Sequence, residues 1–115
     1  MDKCETCGKP TEYNGWPNYE TWAVKLWLDN EPGLYEYWRE TSQWAKAEAP
    51  DRDSVKVRGW KVEDVAEALL AERLKEELEE EQPELEGLWA DLLTSAFGEV
   101  DWQEIARVML SELNE

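Results

Sequence analysis

"VEDVAEALLAERLKEEL", residues 62–78, places Val62, Val65, Ala66, Leu69, Leu70, Leu74 and Leu78 three or four positions apart, with Arg73 and Glu77 on the same spacing. Residues so spaced share one face of a helix, whereas a half-buried strand would need strict alternation. The stretch therefore predicts a long amphipathic helix. It stops before Pro83, which lacks the backbone donor that continuation requires. On the C-terminal side, Leu85, Leu88, Trp89, Leu92, Leu93 and Phe97 form a second stripe, expected to face the core, with Gly98 placed to end it in a left-handed conformation. Asp101 and Glu104 then have the spacing of a capping box, and Val100 and Ile105 that of a hydrophobic staple. They open a helix whose stripe is Trp102, Ile105, Ala106, Met109, Leu110 and Leu113.

On the N-terminal side, "NGWPN" at 14–18 is turn chemistry, and Asn18 can cap a helix by accepting a free backbone N–H of its first turn. Tyr19, Trp22, Ala23, Leu26 and Trp27 are its expected inner stripe, widened by Val24 and Leu28. "DNEPG" at 29–33 ends it, and Leu34, Tyr35, Trp38, Thr41, Ser42 and Ala45 begin a second helix of weaker pattern. For residues 50–61 a short extended piece and a loop are both open. Five helical segments joined by Pro/Gly connections, without a convincing strand, predict an all-α fold: a single-domain irregular or orthogonal bundle over residues 13–115. Residues 1–12 read as a polar tail carrying a C-x-x-C pair.

At 115 residues the chain is one domain of ordinary size, and its eight tryptophans supply apolar area for a core. Nothing approaches the length of a membrane span, and "MDKCETCGKP" lacks the apolar centre of a signal peptide, so a cytoplasmic protein is expected. The net charge of −16 is unevenly spread: residues 1–61 hold nine Lys/Arg and eleven Asp/Glu, and residues 62–115 hold three and seventeen. Such a field opposes duplex DNA, whose phosphates need cations, and attracts basic proteins.

Catalysis finds no template, because the chain lacks histidine and has no Gly-rich phosphate loop. Cys4 and Cys7 have the spacing of half a zinc site, which a dimer could complete with four thiolates, or to which Asp2 or Glu5 could add weakly; otherwise they are incidental cysteines of a tail. Glu76, Glu77, Glu79, Glu80, Glu81, Glu84 and Glu86 surround the break at Pro83. They read either as a solvated face or as carboxylates standing where DNA phosphates would stand, offered to a basic nucleic-acid-binding protein. Adaptation to high salt fits less well, with twenty-one Glu against seven Asp. Among the aromatics, Trp22, Trp27, Trp89 and Trp102 are assigned to the core, while Trp16, Tyr37, Trp44 and Trp60 fall off the stripes and are candidate interface residues. A stacking platform for single-stranded nucleic acid would use the same Trp/Tyr block.

The block "YNGWPNYETWAVKLWLDNEPGLYEYW" at 13–38 resembles a family of small proteins of phages, plasmids and other prokaryotic genomes, whose pattern reads N-G-W-x-N-Y-E-T-W-x-V-x-L-W-L. The matching positions are Asn14, Gly15, Trp16, Asn18, Tyr19, Glu20, Thr21, Trp22, Val24, Leu26, Trp27 and Leu28. "ADLLTSAFGEVDWQEIA" at 90–106 is similar to the family's C-terminal element, and "CETCG" lies outside the shared pattern. The resemblance implies a helical fold and a mobile-element origin, and carries nothing over about catalytic residues or cofactors. Charge and resemblance together give the expectation of a non-enzymatic acidic binding protein, acting as a DNA mimic on a basic partner such as a host defence protein. The alternatives are a zinc-binding module dimerising through Cys4 and Cys7, and a single-strand binder.

Overall fold

The computed structural model describes residues 15–113. The chain runs through α1 (Tyr19–Asn30), α2 (Pro32–Glu48), a 3-10 turn (Ala49–Asp51), α3 (Asp53–Lys56), α4 (Val62–Glu80), α5 (Leu88–Gly98) and α6 (Trp102–Glu112), so the fold is all-α. The segment left open by the sequence resolves into the short α3 and a loop, in which Trp60 N–H donates to the Ser54 carbonyl at 2.9 Å.

The helix read most clearly from sequence, α4, is the centre of the bundle: α6 and α2 pack on it, and α1 packs across α2 and α6. Leu28, Trp38, Ala45, Leu70, Leu74, Ile105, Ala106 and Met109 form the core. A smaller cluster of Ala49, Val65 and Ala66 joins it through Leu69 and Leu110. Leu70, Leu74 and Ile105 are fully enclosed, so truncating any of them to alanine would cost about 2–5 kcal/mol.

The local signals at helix starts hold. Asn18 caps α1 by accepting from Thr21 N–H at 2.9 Å, and Asp101 caps α6 by accepting from Glu104 N–H at 3.0 Å. The return half of the capping box is absent among the described bonds, because the Glu104 carboxylate pairs with Arg107 instead. Gly98 does not adopt the expected left-handed conformation; it is the last residue of α5, and Glu99 follows in right-handed helical geometry.

Two expectations about helix faces are corrected. In α1 the buried residues are Thr21, Lys25 and Leu28; of the expected stripe, Leu28 and Val24 at its margin meet the core, while its centre points the other way, with Trp27 74% exposed and Tyr19 and Leu26 also exposed. Thr21, Lys25 and Leu28 lie about 180° around the helix from Leu26 and Trp27 at 100° per residue. Hydrogen bonds decide the rotation. Thr21 Oγ1 donates to Asn18 Oδ1 at 2.7 Å and accepts from Asp101 N–H at 2.8 Å, while Asn18 Nδ2 donates to the Glu99 carbonyl at 2.6 Å. Lys25 Nζ, almost fully buried, pairs with Asp29 at 2.7 Å and Glu112 at 3.2 Å. Turning α1 to bury Trp27 would break the bonds to Glu99, Asp101 and Glu112, each worth about 1 kcal/mol net and more where a charge takes part.

The second correction concerns α5, which buries no residue fully. Its stripe was expected in the core, yet α5 is not among the packed helix pairs, and Trp89 is exposed. Phe97 touches Trp102 of α6 with ring centroids 5.0 Å apart. The connection after Pro83 sets this direction, because it enters α5 through Gly87 at φ +62°, a conformation that a side chain would strain.

Candidate interaction surfaces

The acidic positions singled out from sequence divide into two groups. Glu76, Glu79, Glu80, Glu81, Glu84 and Glu86 are all exposed, at the end of α4 and along the connection to α5. Among the described residues none of them has an ion pair, and the last turn of α4 contains no basic residue. The C-terminal end of a helix carries the negative end of its dipole, so carboxylates there add repulsion to repulsion.

Glu77 is different, because the fold itself uses it. Its carboxylate accepts from Tyr37 Oη at 2.6 Å and from Arg73 Nε at 2.6 Å, and the Arg73 guanidinium lies over the Trp44 ring at 4.8 Å from the centroid. Three residues read from sequence as surface candidates, Tyr37, Trp44 and Glu77, thus meet around Arg73 and fasten α2 to α4. The hydrogen bond to the Glu77 carboxylate, helped by partial burial and the nearby negative charge, raises the Tyr37 pKa above the ordinary tyrosine value. The Arg73 guanidinium's own hydrogen bond to the Glu77 carboxylate raises Arg73 above its usual value, so it stays charged.

The other two candidate aromatics separate as well. Trp16 is half-buried against the main core, holding the entry to α1. Trp60 is 54% exposed in the loop after α3, beside Arg58 and Lys61, which are exposed too. It lines a shallow cleft with Arg52, Ser54, Leu69 and Glu72. Cys4 and Cys7 lie outside the described residues. Among the described residues no group of three or more Cys, Asp or Glu stands close enough to hold a metal ion.

Sequence reasoning missed a third surface, the apolar one. On α5, Leu88 is 65%, Trp89 64% and Leu92 51% exposed, and Leu85 just before it is 43% exposed. The signal was available: in α5, "LWADLLTSAFG", Asp91 is the one charged residue and the apolar residues spread over about half the circumference, wider than a single narrow stripe. Periodicity identifies such a helix as needing cover without saying which chain supplies it.

The chain carries the pattern of one protein family along most of its length. It belongs to a family of unknown function, DUF7249, whose model matches residues 9–115. No curated protein and no solved structure matches. The matched span includes all three surfaces and begins after Cys4 and Cys7, so the cysteine pair is not part of what the family shares. None of the helices among the described residues is long and apolar enough to cross a membrane.

Proposed function

We propose that this member of the family is a non-enzymatic, cytoplasmic binding protein that offers the exposed carboxylates of Glu76, Glu79, Glu80, Glu81, Glu84 and Glu86 to a basic, nucleic-acid-binding partner, in the place where duplex DNA would offer phosphates. The observation that carries the reading is the position of these residues: they crowd the negative end of α4, whose last turn has no basic residue, and none of them has an ion pair among the described residues, not even Glu76 with the neighbouring Lys75. A solvated face serves equally well when charges of both signs alternate, so a one-signed cluster at the unfavourable end of a helix is retained at a cost in stability. Duplex DNA carries about one charge per 1.7 Å of axis, and carboxylates at nearly every position of a helical turn approximate part of that density. A phage or mobile-element origin belongs to the same proposal, since inhibitors of host defence proteins work in this way. Affinity capture from a prokaryotic lysate tests it. The expected result is a basic DNA-binding protein that is released as salt is raised; capture of none, or capture unaffected by salt, refutes it.

A second reading has one observation in its favour, the exposed Trp60 between Arg58 and Lys61. An aromatic ring flanked by cations is what stacking on a single-stranded base requires. Quenching of tryptophan fluorescence by an oligonucleotide at low salt, lost in Trp60→Ala, would support it, and a flat titration would remove it.

A further inference from the structure

The exposed apolar face of α5 lies in a part of the chain that has carboxylates and no cation, and we propose that it is the docking site for a basic amphipathic helix of a partner protein. Leu88, Trp89 and Leu92 make this face, falling within about 100° of one another around the helix, and the exposed Leu85 precedes them. Ala90, Leu93 and Phe97 follow around the circumference and are half-buried, Phe97 against Trp102. Asp91, Thr94, Ser95 and Gly98 form the remaining, polar side. With Trp89 and Leu88 each more than three-fifths exposed, the face leaves on the order of 400 Å² of apolar surface in water. An apolar patch of that size with a polar rim marks a protein contact, whereas single exposed side chains need no explanation.

The charge around the face selects its occupant. Between Lys75 and Arg107 the sequence has eleven Asp or Glu and no Lys or Arg. Three of the eleven are used by the fold: Glu77 holds Arg73, Asp101 accepts the Glu104 N–H, and Glu104 pairs with Arg107. The others have no ion pair among the described residues. Asp91, three positions after Leu88, stands at one edge of the face; beyond the other edge, Glu84 and Glu86 line one cleft with Ala90, Leu93 and Thr94. A second copy would bring the same carboxylates to the contact, and an anionic lipid surface or a nucleic acid would bring its own negative charge, so each is repelled. A segment with Lys or Arg beside an apolar stripe meets apolar surface and countercharge together. Because α5 satisfies its central backbone groups internally, it offers no edge to an extended strand, and the contact is made by side chains alone. A helix with apolar anchors at i, i+3 or i+4 and i+7 presents them in that way, over the about 16 Å that eleven residues span.

The docking site deepens the acidic-surface reading and rests on it for the sign of the partner's charge: carboxylates attract the partner, and α5 supplies the apolar anchor. The probe is a labelled peptide of about four helical turns made of Leu and Lys, with the leucines on one face, beside an isomer of the same composition whose leucines are scattered. Fluorescence anisotropy with the full chain should show the patterned peptide binding at least about tenfold more tightly than the isomer, and Trp89→Gln should abolish that preference, as loss of a central anchor does. Since α5 buries no residue fully, the substitution should leave the fold intact, which far-ultraviolet circular dichroism checks; Leu92→Gln replaces it if helix content falls. Equal binding of the two peptides, an undiminished preference in both variants, or a wild-type dimer that Trp89→Gln dissociates in sedimentation equilibrium would each overturn the proposal. Equal peptide binding beside salt-sensitive capture of a basic DNA-binding protein would overturn the α5 site and leave the acidic reading standing. Pattern-dependent peptide binding without such capture would support the α5 site and end the mimicry.

Discussion

Replacing Thr21 by valine keeps the shape of a fully buried side chain and removes its hydroxyl. That hydroxyl donates to Asn18 Oδ1 at 2.7 Å and accepts the Asp101 N–H at 2.8 Å, joining the start of α1 to the start of α6 across eighty residues of sequence. Losing the first bond costs about 1 kcal/mol. The second leaves a backbone N–H without its acceptor. Because Asp101 is exposed on one side, water can recover part of that loss, which places this contribution near the lower end of the 1–3 kcal/mol range. The sum is about 2 kcal/mol. Thr21→Ser keeps both bonds and loses one methyl group, at about 1 kcal/mol. Urea denaturation followed at 222 nm, at one protein concentration, should therefore rank wild type above Thr21→Ser and Thr21→Ser above Thr21→Val. If valine costs less than 0.5 kcal/mol, or less than serine, then hydrogen bonding does not set the rotation of α1 and the account of its exposed tryptophan fails.

Changing Glu79, Glu80 and Glu81 together to Gln should raise stability by a few tenths of a kcal/mol per site at low salt, with the gain shrinking as salt is added, because each carboxylate opposes the negative end of α4; the same triple variant should lose salt-sensitive capture of a basic partner. Glu77→Gln should do the opposite and destabilise by about 1 kcal/mol, because Tyr37 and Arg73 lose their charged acceptor. The raised Tyr37 pKa gives a pH signature: its contribution is fully present below the unfolded value of about 10 and is lost as pH rises through the higher folded value, since the unfolded chain releases that proton first. Thermal unfolding at alkaline pH should accordingly show a shallower decline in Tyr37→Phe than in wild type.

Helix existence was legible where the information is local. The spacing in α4, the caps at Asn18 and Asp101, and the breaks at Pro83 and at "EPG" each act within a few residues, and the structure has helices where they predict them. The candidate site was legible only in part. Six of the seven glutamates are exposed where the sequence put them, while Glu77, Tyr37 and Trp44 are drawn into one cluster around Arg73, a residue that the stripe placed on the core-facing side of α4. That Arg73 would meet residues about thirty to forty positions earlier could not be read from spacing.

By itself the sequence determined that this protein is all-α, where α1, α4 and α6 start, and that its negative charge is concentrated in its second half. The tertiary structure decided which way the helices face. In α1 two stripes compete, an aromatic one and one of Thr21, Lys25 and Leu28, and the hydrophobic pattern favours the first. The second is buried because its polar groups find partners at Glu99, Asp101 and Glu112, residues that exist as neighbours only after α6 has docked. In α5 the pattern specified a helix needing cover, and the backbone at Gly87 sent it where this chain does not supply that cover. Periodicity records that a face is apolar; what meets it depends on packing between segments far apart in the chain, or between chains.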